Sequence, residues 1–182
     1  SLEEKAREVV KEIRRRLDEL LRKSHDVVRE IEERLDKLEK ESEDAVREIE
    51  KRLDELAKRI TDERAKKILD EVKKEVRRLH EENRKILEEV KKEVRRVNDE
   101  NRRIIERVKE TVDDVLRKVS RVDAKVVEKL IKELRDILRE VAERVERTIR
   151  RLREIVKRVE RKVERSIEEM ERIVREAEEE TR

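Results

Sequence analysis

Residues 17–34, LDELLRKSHDVVREIEER, are followed directly by a close copy of themselves, LDKLEKESEDAVREIEKR, at residues 35–52. The same 18-residue period recurs in the middle of the chain, where residues 68–85 are echoed by 86–103, and later, where 141–158 are echoed by 159–176. Eighteen residues complete five helical turns at 3.6 residues per turn, so side chains one repeat apart point in the same direction. A heptad repeat would impose left-handed supercoiling and an 11-residue repeat right-handed supercoiling, so the observed period predicts nearly straight, untwisted helices.

The composition restricts the chain to long helices. None of the 182 residues is Gly, Pro, Cys, Phe, Trp or Tyr, and 59% are charged. The 55 basic and 52 acidic residues are interleaved, and apolar residues recur with helical spacing, which is not the pattern of a disordered chain. The apolar residues between positions 17 and 35 fall on one helix face, opposite a charged face. They are Leu17, Leu20, Leu21, Val27, Val28, Ile31 and Leu35.

Two breaks divide this periodic pattern into three helices. Asp62 and Asp123 are predicted helix N-caps, and Ser1 is a third, with Glu4 completing a capping box. The breaks give helices at about 2–60, 63–120 and 124–181, each roughly 90 Å long at 1.5 Å per residue. Short connections between long helices force antiparallel neighbours, so we predict an all-α fold, an up-down-up three-helix bundle that forms a single domain over residues 1–182.

Short polar residues interrupt the apolar stripes at two levels of the predicted bundle. Antiparallel pairing places Ser42 opposite His80, and Ser24 and His25 opposite Asn98. We expect two buried hydrogen-bonded layers, because an inward polar group is costly unless it is paired and therefore penalises wrong helix registers. One layer comprises Ser24, His25, Asn98, Asn101 and Thr148, and the other Ser42, His80, Asn83 and Ser166.

An alternative for these side chains is that some sit at the edge of a stripe and face water. It applies most directly to His25, which lies about 90° from the centre of its stripe at 100° of rotation per residue. Glu43 occupies the equivalent position one repeat later, and a charged residue there is typical of a solvated face.

The sequence offers little support for catalysis, metal binding or a cofactor. Ser24 and His25 are adjacent on a helix and do not face each other, so they do not form a nucleophile and base pair. The two histidines fall in different layers and cannot share one ion, and cysteine is absent. We therefore expect no enzyme activity, no metal site and no cofactor.

Nucleic-acid and membrane binding are weaker alternatives. The middle helix carries basic pairs such as Lys73-Lys74 and Arg77-Arg78, but glutamates interrupt them and no aromatic residue is present to stack on bases. At most, weak non-specific binding of nucleic acid at low salt is expected. Apolar runs far shorter than the roughly 20 residues of a membrane-spanning helix predict a soluble protein without a signal peptide or transmembrane segment, and the cellular location stays unknown.

Taken together, the 18-residue repeat, the polar layers, the Val-rich core and the Ile60-Thr61-Asp62 connection resemble parametrically designed helical bundles with buried hydrogen-bond networks. The connection is similar to the Leu-Thr-Asp-Pro loops of such designs, with Glu63 in place of Pro. Natural spectrin-like repeats differ, because they usually carry core aromatics. The resemblance implies an artificial, hyperstable scaffold with no natural biochemical function.

The partner expectation follows from the width of the apolar stripes. Each stripe is as wide as contact with two neighbouring helices requires, so we expect a monomer that needs no partner. A slightly wider stripe would instead pack against another copy of the chain or against a designed partner, which makes an assembly component the alternative function.

Overall fold

A computed structural model describes all 182 residues and contains three long α-helices. They are α1 (Leu2–Lys58), α2 (Glu63–Lys118) and α3 (Ala124–Glu180), with one turn of 3₁₀ helix at Val119–Arg121. No strand is present, and all three helices pack against each other. The predicted all-α three-helix bundle is confirmed.

Each α-helix begins at one of the predicted caps. A side-chain oxygen of the cap accepts a hydrogen bond from a backbone N–H of the first turn, which would otherwise have no partner within the helix. The bonds run from Glu4 to Ser1 Oγ at 3.3 Å, from Arg64 to Asp62 Oδ1 at 3.1 Å, and from Val126 to Asp123 Oδ1 at 3.1 Å.

The helix ends lie slightly earlier than predicted. α1 ends at Lys58 rather than 60, because the Arg59 and Ile60 amides bond to carbonyls only three residues back, at 3.1 and 3.3 Å, which tightens the last turn. α2 ends at Lys118 rather than 120, where the 3₁₀ turn takes over and keeps Val119 buried. α3 ends at Glu180 rather than 181.

Contacts group the chain into two compact units, each built from segments of all three helices. The first unit comprises residues 1–30 and 93–153, and the second unit comprises residues 31–92 and 154–182.

In the first unit, α1 and α2 run antiparallel. Arg14 pairs with Asp113 at 2.8 Å, and ten residues further along α1 Ser24 contacts Asn98, fifteen residues back along α2. An apolar cluster lies at the end of this unit, beside the connection between α2 and α3. It contains Ala6, Val119, Val127 and Ile131.

In the second unit, α1 again runs antiparallel to α2 and parallel to α3. Asp36 pairs with Lys91 and Asp54 with Lys73, while Arg34 pairs with Glu160 and Arg52 with Glu171. One apolar cluster of this unit contains nine buried residues from the three helices. They are Val46, Ile49, Leu53, Leu69, Val72, Val76, Met170, Val174 and Ala177.

The caps generate a testable prediction about stability. Asp62→Ala and Asp123→Ala should each lower the free energy of unfolding by about 1 kcal/mol, because each removes the acceptor of a first-turn amide. Chemical denaturation followed by circular dichroism measures the change.

Asp44→Ala is the matched control, since Asp44 is exposed in the interior of α1. Alanine favours helix more than aspartate does, so this change should be neutral or slightly stabilising. An equal loss in all three variants would mean that the two carboxylates do not act as caps.

Candidate functional site: two polar clusters in the core

Four polar side chains are fully buried among the apolar residues. The exposed fraction is 3% for Ser24, 0% for Ser42, 1% for Asn83 and 2% for Asn101. Ser24 and Asn101 lie in the first unit, and Ser42 and Asn83 in the second. Because unpaired buried polar groups are destabilising, the partners of these four residues determine what the clusters contribute.

The first polar cluster, which we define as Ser24, Asn98, Asn101 and Thr148, connects all three helices of the first unit. Asn101 Nδ2 donates to Thr148 Oγ1 on α3 at 2.9 Å and lies 3.5 Å from Ser24 Oγ on α1. Ser24 Oγ donates to Asn98 Oδ1 at 3.1 Å, and Thr148 Oγ1 donates to the Val145 carbonyl at 2.8 Å. Both hydroxyls therefore accept and donate at the same time, so the network is continuous.

The second polar cluster, which we define as Ser42, His80, Asn83 and Ser166, has hydrogen bonds between α1 and α2 only. Asn83 Nδ2 donates to Ser42 Oγ at 3.1 Å, and Ser42 Oγ lies 2.8 Å from His80 Nδ1. If His80 carries its proton on Nε2, the Ser42 hydroxyl donates to Nδ1 and uses both of its roles. His80 itself is half-buried.

The predicted role of Ser166 needs correction. Its Oγ atom is buried but has no hydrogen-bond partner. In the first polar cluster the Asn101 amide lies closer to α3 than to α1, whereas the equivalent Asn83 amide contacts α1 at 3.1 Å. Because the Asn83 amide is directed towards α1, the Ser166 hydroxyl on α3 has no hydrogen-bond partner.

The predicted place of His25 in the first polar cluster also needs correction, because its side chain is exposed. Ser24 faces the core, and the next residue of an α-helix points about 100° away from it. His25 therefore belongs to the solvated face, which is the alternative that its edge position suggested.

A row of ion pairs borders the α1 and α2 contact and was not predicted from the sequence. Asp18 pairs with Lys109, Asp36 with Lys91 and Asp54 with Lys73. The aspartates are 18 residues apart on α1 and the lysines 18 residues apart on α2, so the repeat itself was the signal. The hydrogen bond that the Lys91 ammonium donates to Asp36 raises the pKa of Lys91, since it favours the charged form more than partial burial opposes it.

A second recurring arrangement places an arginine between two glutamates of its own helix, three residues before it and four after. We call these groups the arginine triads. In each triad the preceding glutamate accepts hydrogen bonds from the guanidinium, which lowers the pKa of that glutamate and raises that of the arginine. The triads are Glu12-Arg15-Glu19, Glu75-Arg78-Glu82, Glu93-Arg96-Glu100 and Glu169-Arg172-Glu176.

Arg52 has two acidic partners on the neighbouring helix. Its Nη1 lies 3.0 Å from Glu171 Oε2 and its Nη2 lies 2.6 Å from Glu178 Oε1. Partial burial disfavours the charged guanidinium, but the two hydrogen bonds outweigh burial and raise the pKa of Arg52. This pair of contacts links α1 and α3 in the second unit.

Comparison of the chain with protein-family models, with curated proteins and with solved structures found no match. No group of three or more His, Cys, Asp or Glu side chains is arranged to hold a metal ion. None of the helices has an apolar stretch that could cross a bilayer.

The different pairing of Thr148 and Ser166 makes a prediction. Thr148→Val should lower the free energy of unfolding by about 1–2 kcal/mol, because it leaves the buried Asn101 amide without its better acceptor. Ser166→Ala should be neutral or stabilising, because it removes a hydroxyl that has no partner and adds a better helix former. Urea denaturation of both variants tests the contrast, and a larger loss for Ser166→Ala would contradict it.

The arginine triads predict a dependence of stability on pH. The folded-state pKa values of Glu12, Glu75, Glu93 and Glu169 lie below their ordinary values, so the stabilisation is complete above the unfolded-state pKa. It should be lost progressively as the pH falls from about 4.3, the ordinary value for glutamate, through the lower folded-state values. Denaturation at pH 7, 5 and 3 measures the loss.

Replacing these four glutamates with glutamine should reduce the difference in unfolding free energy between pH 5 and pH 3. A control chain carries the same four changes at exposed glutamates outside the triads, namely Glu48, Glu110, Glu128 and Glu133. If both chains lose the same amount of pH dependence, the pairing with arginine is not its source.

Proposed function

We propose that the chain is an artificial structural scaffold, designed rather than natural, whose polar core clusters specify which helix register forms. The observation that carries this proposal is that the ion pairs between α1 and α2 recur with the same 18-residue period as the sequence. The same Asp and Lys pairing recurs after 18 residues on both antiparallel helices, at Asp36 with Lys91 and again at Asp54 with Lys73.

The recurrence also supports helices with little or no supercoil. Two antiparallel helices that coil around each other meet again after whole heptads, whereas straight helices meet again after 18 residues, or five turns. Within the second unit, the buried positions follow the 18-residue period. Leu35 is repeated by Leu53, and Leu69 by Leu87, all at 1% exposure or less.

The polar clusters fit a role in specificity better than a role in stability. Burying hydrogen-bonded polar groups adds little net stabilisation compared with apolar packing, but a shifted register would leave the same groups unpaired at a cost of about 1–3 kcal/mol each. At the observed register Ser24 pairs with Asn98 and Asn101 on α2, and Asn101 reaches both α1 and α3.

Enzyme activity is not part of the proposal, although Ser42 and His80 form a close pair. A serine nucleophile must reach a substrate carbonyl, and a general base must reach the reacting proton. The Ser42 side chain has no exposed surface, so a substrate could reach it only if the helices separated.

Nucleic-acid binding is also disfavoured by the ion pairs. Several basic residues of α2 already face a carboxylate, either on α1 or within the arginine triads. A phosphate backbone would have to displace these partners, which reduces the electrostatic gain on which non-specific binding depends.

An assembly component is the second candidate function, and exposed apolar residues favour it. Val122 and Val126 are the most exposed large hydrophobic residues; Val122 lies in the connection before α3, and Val126 lies in the first turn of α3. Sedimentation equilibrium separates the candidates, because the proposed scaffold should sediment with the 22.3 kDa mass of one chain.

A double variant tests the specificity role. Asn83→Leu with Asn101→Leu should preserve or raise the midpoint of unfolding, because apolar packing replaces buried polar groups, while additional registers or oligomers appear. Thermal denaturation gives the stability, and sedimentation equilibrium gives the assembly state.

The matched control is Val76→Leu with Val94→Leu, which alters two fully buried core positions of the same helix without removing a polar group. It should change the packing energy but keep a single assembly state. If the asparagine variant loses much stability and its assembly state stays unchanged, the polar clusters are ordinary stabilising contacts and the specificity role is wrong.

A further inference from the structure

A groove lies between α1 and α3 in the first unit. Its volume is about 480 Å³, and its apolar floor is formed by Val9, Ile13, Leu138 and Ala142. Ile13 and Leu138 are buried core residues, whereas Val9 and Ala142 are only half-buried. The volume falls within the range of about 300–1,000 Å³ that is typical of small-molecule sites.

The 18-residue repeat explains why the groove is present at this level. Arg34 pairs with Glu160, and one repeat later Arg52 pairs with Glu178. The equivalent positions one repeat before Arg34 and Glu160 are Arg16 and Ala142. A short methyl group therefore stands where the other repeats have a glutamate that binds the arginine. The cavity beside Arg34 and Glu160 is correspondingly smaller, at about 170 Å³.

The second carboxylate that binds Arg52 is also missing at this level. Glu171 occupies that place in the second unit, and its equivalent two repeats earlier is Arg135, which lines the groove together with Arg16 and Arg139. The site thus retains the arginine of the pattern, carries Arg135 at the position equivalent to Glu171, and lacks both of the acidic partners that Arg52 has.

Four glutamates also line the groove, namely Glu8, Glu12, Glu143 and Glu146. Glu12 accepts hydrogen bonds from Arg15, which is not part of the groove, at 2.5 and 3.2 Å. Glu146 lies 3.9 Å from Lys23, another cation outside the groove. Two of the four carboxylates therefore have partners outside the groove. The pKa of Glu12 is lowered mainly by its hydrogen bond with Arg15 and also by the charge of Arg16, so Glu12 is near Arg16 but bonds to Arg15. The position beside Arg16 that Glu160 and Glu178 occupy in the other repeats is left open by Ala142.

We propose that this groove binds an aliphatic monocarboxylate of medium chain length. The carboxylate takes the place of the missing Glu side chain against Arg16, and the alkyl chain covers Val9, Ile13, Leu138 and Ala142. Such a ligand has an anionic head and an apolar tail. These correspond to the carboxylate and the methylene groups of the glutamate side chain that the repeat lacks at Ala142.

Octanoate is the probe for this proposal, with octanamide and octyltrimethylammonium as neutral and cationic probes of similar chain length. Titration of the chain with ¹³C-labelled Ala and Val methyl groups should give a saturable shift at Ala142 and Val9, strongest for octanoate. The preference over octanamide should be about two- to fivefold in Kd, as expected for one solvent-exposed ion pair. An equal Kd for octanamide, or tighter binding of the cation, would overturn the proposal.

Three variants test the assigned residues, and circular dichroism establishes that each is folded. Arg16→Gln should remove the preference for octanoate over octanamide while weak binding of both remains. Ala142→Glu should abolish the saturable shift at Val9, because it restores the side chain that the ligand replaces. Ala45→Glu, the same change at a half-buried alanine outside the groove, should leave octanoate binding unchanged.

If Arg16→Gln retains the preference, the carboxylate does not lie against this arginine, and the proposal fails even though the fold is intact. If Ala142→Glu binds octanoate as well as the unmodified chain, the ligand lies elsewhere. These outcomes are independent of the proposed scaffold role, since none of them changes the polar clusters.

Discussion

Helical geometry is the constraint on which the rest of the structure depends. Each residue turns the chain by 100°, so a pattern with a period of 18 presents identical faces at regular heights without any bending of the helix axis. Hence Leu17, Leu35 and Leu53 have no exposed surface, and the aspartates that follow each of them all meet a lysine of α2. Buried residues, ion pairs and polar contacts therefore all recur at intervals of 18 residues.

Repetition alone, however, does not make the two polar clusters equivalent. Asn98 and Thr148 give the first polar cluster a donor or acceptor on every helix, while His80 and Ser166 stand at the same positions in the second. As a result, one amide bridges α2 to α3, and the other is satisfied on α1 and leaves a buried serine hydroxyl without a partner. The second polar cluster is thus the less complete of the two, and its histidine is the ionisable member.

Much of this could be predicted from the sequence, because the decisive signals are periodic. Asp62 and Asp123 located the connections, and antiparallel pairing then placed Ser42 opposite His80 and Ser24 opposite Asn98. The details that could not be predicted depend on small displacements. The 18-residue period does not determine the direction of the Asn83 amide or the tightened last turn of α1. The burial of His25 was ambiguous because an edge position differs from a core position by only a fraction of a helical turn. The Asp and Lys row was visible in the spacing but is easily hidden in a chain that is 59% charged.

Because the contacts repeat, alignments of α1 and α2 that differ by one 18-residue repeat would have many contacts in common. If the two helices slipped past each other by one full repeat, aspartates would still meet lysines and leucines would still meet apolar neighbours, and the mismatch would be confined to the helix ends and the polar positions. In the intact chain the short link at residues 59–62 prevents such a slip. A chain cleaved within that link would lose this restraint, and the few serines and asparagines of the core would then be the main features that distinguish the native alignment from its shifted copy.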